Sequence, residues 1–284
     1  MKKILISMLS LILLCGCVNV NVDANAAETR IPIETVPHGT IDIEVNNYEN
    51  LVNRETEPSG ISLPDEIGYI KYESGTFQYE FTASNGVNIP YQLYVPEGIT
   101  KDRPLILWLH GLGYVNHLLP ESYGLINAAK ELDETRFIIV QPFGKYVWQQ
   151  ERQYTAVMEL LDYLTESLGT KEKITITGHS LGALGTWLYA EKFTERWAAA
   201  IPVSSRPMVR LTNLNTSDVP VWGICGSGDV NDTKMGIKSV INKMKELNPE
   251  RDVLFTNYPK CSHNDMAEAP YTEAFFDWVA DKYF

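Results

Sequence analysis

Short, uniformly apolar runs alternate with amphipathic stretches from residue 105 onward, and this alternation is the feature that most constrains the fold. An apolar run without alternation predicts a strand that is buried on both faces, and apolar residues three and four apart predict a helix. Strands and helices in alternation build a parallel sheet with helices on both faces. The apolar runs are Leu105–Leu109, Phe137–Val140, Ile174–Thr177, Ala198–Val203, Val219–Ile224 and Val253–Tyr258, and the helical stretches lie near 120–132, 153–168, 181–193, 233–247 and 270–282.

A β-hairpin is predicted ahead of these elements. Residues 76–81 alternate between apolar and polar side chains, Ser84-Asn85-Gly86 is typical of a turn, and the largely apolar run 89–95 follows. The hairpin completes an α/β domain over residues 73–284 with eight strands, most of them parallel. Only Ser204–Asp218 separates the sixth strand from the seventh, which is too short for a lid domain.

The first residues have the pattern of an export signal. Met1-Lys2-Lys3 is positively charged, and Ile4–Leu14 is an apolar run too short to span a bilayer. Leu14-Cys15-Gly16-Cys17 resembles a bacterial lipobox, which implies a signal peptide over 1–17 and a lipid anchor at Cys17 on the cell surface. Ala24-Asn25-Ala26 leaves a second possibility open, namely a secretory signal over 1–26 and free secretion.

Residues 18–72 are expected to form an acidic tether or N-terminal extension. They contain ten acidic and three basic residues. Ile41–Val45 alternates like one half-buried strand, so part of the extension is expected to pack on the domain. The whole chain has a net charge of −12, which argues against a nucleic-acid partner, because phosphate neutralisation needs clustered lysine and arginine.

The motif Gly178-His179-Ser180-Leu181-Gly182 lies between a predicted strand and a predicted helix. An abrupt turn from strand to helix presents the serine hydroxyl at the end of the sheet, and glycines leave room for that turn. Ser180 is therefore the candidate nucleophile. The N–H of Leu181, at the helix N-terminus, is a candidate donor to an oxyanion.

A second glycine motif follows the strand Leu105–Leu109. His110-Gly111-Leu112-Gly113 forms a tight turn, and the backbone N–H of Leu112 is the candidate second donor of an oxyanion hole. Taken alone, this segment also fits a core strand that ends in an ordinary glycine turn.

A serine hydroxyl needs a base, and the base needs an orienting acid. His263 follows the last strand and is the candidate base, and Asp229 follows the strand before it and is the candidate acid. Asp232 is the alternative acid. The order of nucleophile, acid and base is that of serine hydrolases with an α/β sheet. The chain has five histidines: His38, His110, His117, His179 and His263.

The candidate substrate-binding residues are His110, Gly111, His179 and Trp148. The two histidines also fit a structural role inside their motifs. Trp148, with Tyr146, is a candidate aromatic wall near the nucleophile, and packing on the edge of the core fits Trp148 equally well. The histidines and cysteines lack ligand spacing, so the sequence predicts no metal site, and no nucleotide motif or other cofactor signal is present.

From about residue 75 to the end, the chain resembles the α/β-hydrolase superfamily. Residues 178–187, which end in Gly-Thr-Trp, and Val221-Trp222 before Gly226–Asp229 are similar to secreted esterases of the "predicted peptidase" and feruloyl or polyester esterase kind. The resemblance implies ester hydrolysis more than peptide cleavage. It also implies a polymer-linked substrate such as a plant-polysaccharide ester.

The sequence thus favours a serine carboxylesterase acting on short-acyl or polysaccharide-linked esters. A serine peptidase of the same fold and a non-catalytic surface binding module remain alternatives. Cys225 and Cys261 end two strands that are expected to be neighbours, so they form either a disulfide or two buried thiols.

Overall fold

A mostly parallel sheet dominates the structure, a computed structural model that describes residues 55–56, 74–98, 102–111, 124–144 and 147–284. Within these ranges the strands are β1 (Glu55–Thr56), β2 (Gly75–Thr82), β3 (Asn88–Val95), β4 (Leu105–Leu109), β5 (Ile138–Pro142), β6 (Ile174–His179), β7 (Trp197–Val203), β8 (Val221–Gly226) and β9 (Val253–Tyr258). Their order in the sheet is β1-β2-β3-β5-β4-β6-β7-β8-β9. The pairs β2–β3 and β3–β5 are antiparallel, and the other neighbouring pairs are parallel.

The eight predicted strands are all present, and the hairpin is β2–β3. The two-residue strand β1 is an addition, and it comes from the acidic stretch 18–72. The other predictions for the N-terminal region, namely the export signal and the strand at Ile41–Val45, lie outside the described residues. In the part of the chain that the structure describes, no helix combines the length and apolar character that a membrane span requires.

Helices pack on both faces of the sheet. The described α-helices are α1 (Leu125–Glu131), α2 (Glu151–Leu168), α3 (Leu181–Lys192), α4 (Asn213–Thr216), α5 (Asn231–Leu247) and α6 (Glu273–Ala280). Successive residues of a strand point to opposite faces. In β8, the Trp222 ring stacks on Phe275 of α6, whereas a side chain at the next residue, Gly223, would meet Ile237 of α5. The layered α/β architecture is therefore confirmed.

The uniform apolar character of the central strands follows from their double burial. All five residues of β4 are buried, as are all residues of β6 and β7. Trp108 in β4 keeps its one polar group satisfied, because its indole N–H donates to the Tyr271 hydroxyl at 2.7 Å. The amphipathic helix α2 buries one face only, on which Ala156, Leu160 and Leu164 lie.

Cys225 and Cys261 are buried free thiols, so the disulfide considered above is not formed. The expected neighbourhood of β8 and β9 is correct, since Cys225 pairs in register with Asn257. A side chain at Gly226, however, would collide with the carbonyl of Cys261. Cys261 therefore lies over the face to which residue 226 points, and Cys225 points to the opposite face. The Cys225 thiol instead donates to Asn257 Oδ1 at 3.6 Å.

This arrangement predicts two free thiols in the denatured, unreduced protein. The soluble form that begins at residue 27 lacks Cys15 and Cys17, so only Cys225 and Cys261 contribute. Titration with a chromogenic disulfide reagent should give two equivalents, and Cys261→Ser should give one. A parent protein that gives no thiols before reduction and two afterwards would contradict this prediction.

Candidate active site

The carboxyl ends of three parallel strands bring the candidate residues of the site together. Ser180 directly follows β6, Asp229 lies three residues beyond β8, and His263 lies five residues beyond β9. These strands lie in the same half of the sheet, in the order β6-β7-β8-β9. In α/β proteins, ligand sites lie at the carboxyl ends of the parallel strands. The topology alone therefore gathers residues that are far apart in sequence.

Ser180 sits in a strained turn between β6 and α3. Its backbone has φ 56° and ψ −112°, and its N–H donates to the carbonyl of Val203 at 2.9 Å. The turn fits only because two glycines flank it. A Cβ at Gly182 would overlap the carbonyl oxygen of Leu109, and one at Gly178 would lie 2.7 Å from the same atom. This is the turn that the glycine–serine motif predicts.

His263 is hydrogen-bonded to both Ser180 and Asp229. Its Nδ1 lies 2.6 Å from Asp229 Oδ1, and its Nε2 lies 2.9 Å from Ser180 Oγ. An ionised carboxylate only accepts, so Nδ1 carries the proton. In the neutral ring, Nε2 then accepts from the serine hydroxyl. The His263 side chain is 37% exposed, whereas that of Asp229 is 1% exposed, so the candidate base is partly open to solvent and the candidate acid is enclosed.

Asp229 receives two further hydrogen bonds on its other oxygen. The Ser204 hydroxyl donates to Oδ2 at 2.6 Å, and the Gly226 N–H donates at 2.9 Å. Burial raises the pKa of Asp229, but the hydrogen bonds from His263, Ser204 and Gly226 outweigh it, and the pKa is lowered overall. The alternative acid, Asp232, instead forms an ion pair with Arg206 at 2.6 Å.

His179 supports the backbone of His263. Its Nε2 lies 2.7 Å from the His263 carbonyl, which only accepts, so Nε2 carries the proton. The two rings are 4.8 Å apart between centroids. Burial, together with the nearby His263, lowers the pKa of His179 to about 3, so this ring is neutral at neutral pH. It is buried against the site.

His110 and Trp148 pack together in the interior. Nδ1 of His110 lies 2.7 Å from the Gly111 carbonyl, and its Nε2 accepts the Gly144 N–H at 3.2 Å. Burial lowers the pKa of His110 to about 4, which keeps the ring neutral. The Trp148 indole donates to the His110 carbonyl at 2.9 Å, and the whole side chain is buried in the core. These side chains hold the backbone around the site, and contact with substrate stays a prediction.

One of the two candidate oxyanion donors is described. Leu181 is the first residue of α3, where a backbone N–H has no acceptor within its helix. Leu112 lies outside the described residues, as do His117 and Tyr146. Gly111 is described, and a Cβ on it would lie 3.6 Å from Ser180 Cβ, so the backbone of the glycine motif adjoins the candidate nucleophile.

Sequence reasoning missed Ser204. The available signal was its position, since it directly follows β7, a buried strand beside the strand that precedes Asp229.

The segment between β7 and β8 begins at Ser204 and contains only one helix, the four-residue α4. The predicted absence of a lid between these strands is therefore confirmed.

Solved structures share this fold. A thermostable esterase aligns with a TM-score of 0.60 and 21% identity over 72% of this chain and 62% of the esterase, so the match spans less than two thirds of that protein. An S-formylglutathione hydrolase from Staphylococcus aureus aligns with a TM-score of 0.56 and 15% identity, covering 75% of this chain and 100% of the hydrolase. A feruloyl esterase module from Clostridium thermocellum aligns with a TM-score of 0.52 and 17% identity, covering 70% of this chain and 87% of the module.

These structural similarities, with the strand order, identify the fold as that of the α/β-hydrolases, as the sequence resemblance implied. No family model and no curated protein sequence matches the chain.

The buried histidines predict that acid weakens the fold below about pH 6.5. His179 has a pKa of about 3 when folded, and an unfolded histidine has one near 6.5. The unfolded chain thus binds the extra proton, and the free energy of unfolding falls as the pH drops between these values. Asp229, with its lowered pKa, adds stability above about pH 3.9 that is lost only in stronger acid.

Urea unfolding at a series of pH values checks this prediction. His179→Gln keeps an N–H donor but does not titrate, so its stability should depend less steeply on pH, by up to about 1.4 kcal/mol per pH unit. His110 is present in both proteins, so it contributes equally to the pH dependence of their free energies of unfolding. Equal slopes for parent and variant between pH 4 and pH 6 would show that His179 does not remain neutral in the folded state.

Proposed function

We propose that this protein is a serine carboxylesterase. The observation that carries the proposal is the continuous hydrogen-bonded chain from Ser180 through His263 to Asp229, with distances of 2.9 Å and 2.6 Å. This is the arrangement of a nucleophile, a general base and an orienting acid. The similarity to solved esterase structures supports the same assignment.

The geometry supports a two-step reaction. His263 Nε2 takes the hydroxyl proton as Ser180 Oγ attacks the ester carbonyl, and Asp229 stabilises the imidazolium that forms. The Leu181 N–H, with Leu112 as the predicted second donor, holds the negative oxygen of the tetrahedral intermediate. His263 then gives the proton to the leaving alcohol, which leaves an acyl-enzyme. Water gives a proton to the same imidazole as it attacks the acyl carbonyl, the bond to Ser180 Oγ then breaks, and His263 returns the proton to Oγ as the acid leaves.

The proposed substrates are short-acyl esters or esters attached to a polysaccharide. Two features support them: the partly exposed ring of His263 and the short segment between β7 and β8, which forms no lid over Ser180 among the described residues. The similar structures are named for acting on S-formylglutathione and on feruloyl esters, which are respectively a small thioester and an aromatic ester. Both kinds of compound therefore belong in the substrate panel.

Hydrolysis of p-nitrophenyl esters from acetate to decanoate tests the proposal. The soluble form from residue 27 should be active, with rates that fall as the acyl chain lengthens. Ser180→Ala should lose roughly 10⁴-fold or more in kcat while keeping its melting temperature, because the nucleophile is gone and the fold is not altered. Ser84→Ala, at an exposed serine in the β2–β3 turn, should keep full activity.

Two further readouts separate the alternatives. A fluorophosphonate probe should label the parent and Ser84→Ala but not Ser180→Ala. Hydrolysis of a p-nitroanilide as fast as the matching ester would instead identify a peptidase. A folded parent that neither hydrolyses esters nor reacts with the probe would identify a non-catalytic binding module.

We also propose that the protein acts outside the cytoplasm, anchored to the cell surface through a lipid on Cys17 or secreted after cleavage at residue 26. The charged start, the apolar run and the lipobox-like residues 14–17 support this proposal. In a bacterial host, the full chain should partition into the detergent phase and carry an acylated Cys17 by mass spectrometry. Cys17→Ser should lose the acyl group, and Cys15→Ser should keep it. A parent N-terminus at residue 27 would establish secretion instead.

A further inference from the structure

We propose that Ser204 is a positioning residue of this site, whose hydroxyl fixes the orientation and charge of Asp229 and, through Asp229, the imidazole of His263. The inference rests on the proposed function for its kinetic consequence. The Ser204 hydroxyl donates to Asp229, so we assign it an action through the acid.

The contact between Ser204 and Asp229 is short and enclosed. The Ser204 hydroxyl donates to Asp229 Oδ2 at 2.6 Å, which is in the short range for a bond to a charged oxygen. As whole residues, Ser204 is 2% exposed and Asp229 is 5% exposed, so water does not readily replace this donor. A buried carboxylate that loses a donor keeps the cost of its desolvation, which makes the bond expensive to remove.

The backbone of Ser204 shows that the hydroxyl is held in place at a cost. Its φ is +59°, in the left-handed region where residues other than glycine are strained. The Ser204 N–H donates to the carbonyl of Ile224 at 2.8 Å, which ties the end of β7 to β8, the strand that leads to Asp229. Glycine would meet this backbone requirement without strain but has no hydroxyl. The positive φ alone would favour glycine at position 204. The presence of serine there therefore points to a use for its hydroxyl.

The hydroxyl also sets how the carboxylate divides its charge. Asp229 Oδ1 accepts from His263, while Oδ2 accepts from Ser204 and from the Gly226 N–H. Two further titratable groups, His179 and Cys225, also interact electrostatically with Asp229. Without the Ser204 hydroxyl, more negative charge is left to attract a proton on the His263 side, and one rotational restraint on the carboxylate is lost.

Paired variants at position 204 test this inference. Ser204→Gly removes the hydroxyl and relieves the backbone, and Ser204→Ala removes the hydroxyl and keeps the strain. Both should lower kcat by roughly 10- to 100-fold with little change in KM, as expected for a lost hydrogen bond to a charged group. Ser204→Gly should nevertheless melt at a higher temperature than Ser204→Ala. Ser205→Ala removes the neighbouring hydroxyl, which lies 3.5 Å from the Arg206 carbonyl, and should match the parent.

Two readouts distinguish positioning from a merely structural role. The acid limb of the kcat/KM profile should move to higher pH in Ser204→Gly, because Asp229 loses one of the hydrogen bonds that lower its pKa. The far-downfield proton resonance of the hydrogen bond between His263 Nδ1 and Asp229 should shift or broaden in the same variant. This second readout needs no substrate, so it tests the Ser204 inference even if the parent lacks esterase activity.

These measurements distinguish a failure of the Ser204 inference from a failure of the proposed function. A Ser204→Gly protein with parental kcat, pH profile and downfield resonance would overturn the inference and leave Ser204 with a backbone role alone. A parent without esterase activity, but with a downfield resonance that changes in Ser204→Gly, would overturn the proposed function and keep the inference about Asp229. If Ser204→Ala does not fold, Ser204→Gly decides alone, because glycine adopts the required backbone freely.

Discussion

The close approach of α3 to β4 is the contact on which the rest of the site depends. At Gly182 only a hydrogen atom separates the helix backbone from the carbonyl of Leu109, and Gly178 meets the same carbonyl from β6. This spacing lets the chain enter a helix directly after a strand, so Ser180 is forced out of both elements with φ 56°. It also points the positive end of the helix at the place where an oxyanion would form. A side chain at either glycine would push the helix away and lengthen the 2.9 Å contact between Ser180 and His263.

His263 has to be placed in a different way, because it lies on a loop and its ring is partly exposed. The ring is oriented by Asp229, and the backbone is held by His179 at the carbonyl of the same residue. His179 suits this role because burial keeps it neutral. A second positive charge 4.8 Å from the imidazole would oppose the imidazolium that the proposed mechanism forms. The turn that carries the candidate nucleophile Ser180 thus also carries His179, which supports the candidate base His263.

Most of the fold and the central members of the site could be predicted from the sequence. Periodicity and turn residues locate Ser180, Asp229 and His263 at strand ends, and topology then brings those ends together. Ser204 could not be predicted, because its proposed role depends on the order of the strands in the sheet and on its own backbone angle φ. Neither property leaves a local pattern in the sequence. The sequence left a disulfide and two buried thiols both open for a related reason: neighbouring strands were correctly inferred, but the face to which Cys225 points depends on the register. For Trp148, the sequence favoured the core and the site equally, since an aromatic residue in a loop fits either. The structure buries its side chain in the core.

Hydrogen bonds take the place of a covalent link between the loop of Asp229 and the loop of His263. The Gly228 N–H donates to the Cys261 carbonyl at 2.8 Å, and the Ser227 N–H donates to the Tyr258 carbonyl at 2.8 Å. The Ser227 hydroxyl in turn accepts the N–H of Lys260 at 2.7 Å. Burial raises the pKa of Cys225 to about 12, so its thiol stays protonated and is a poor nucleophile at neutral pH. Because hydrogen bonds supply this clamp and Cys225 and Cys261 are free thiols, we expect the geometry of Asp229 against His263 to be independent of reducing or oxidising conditions.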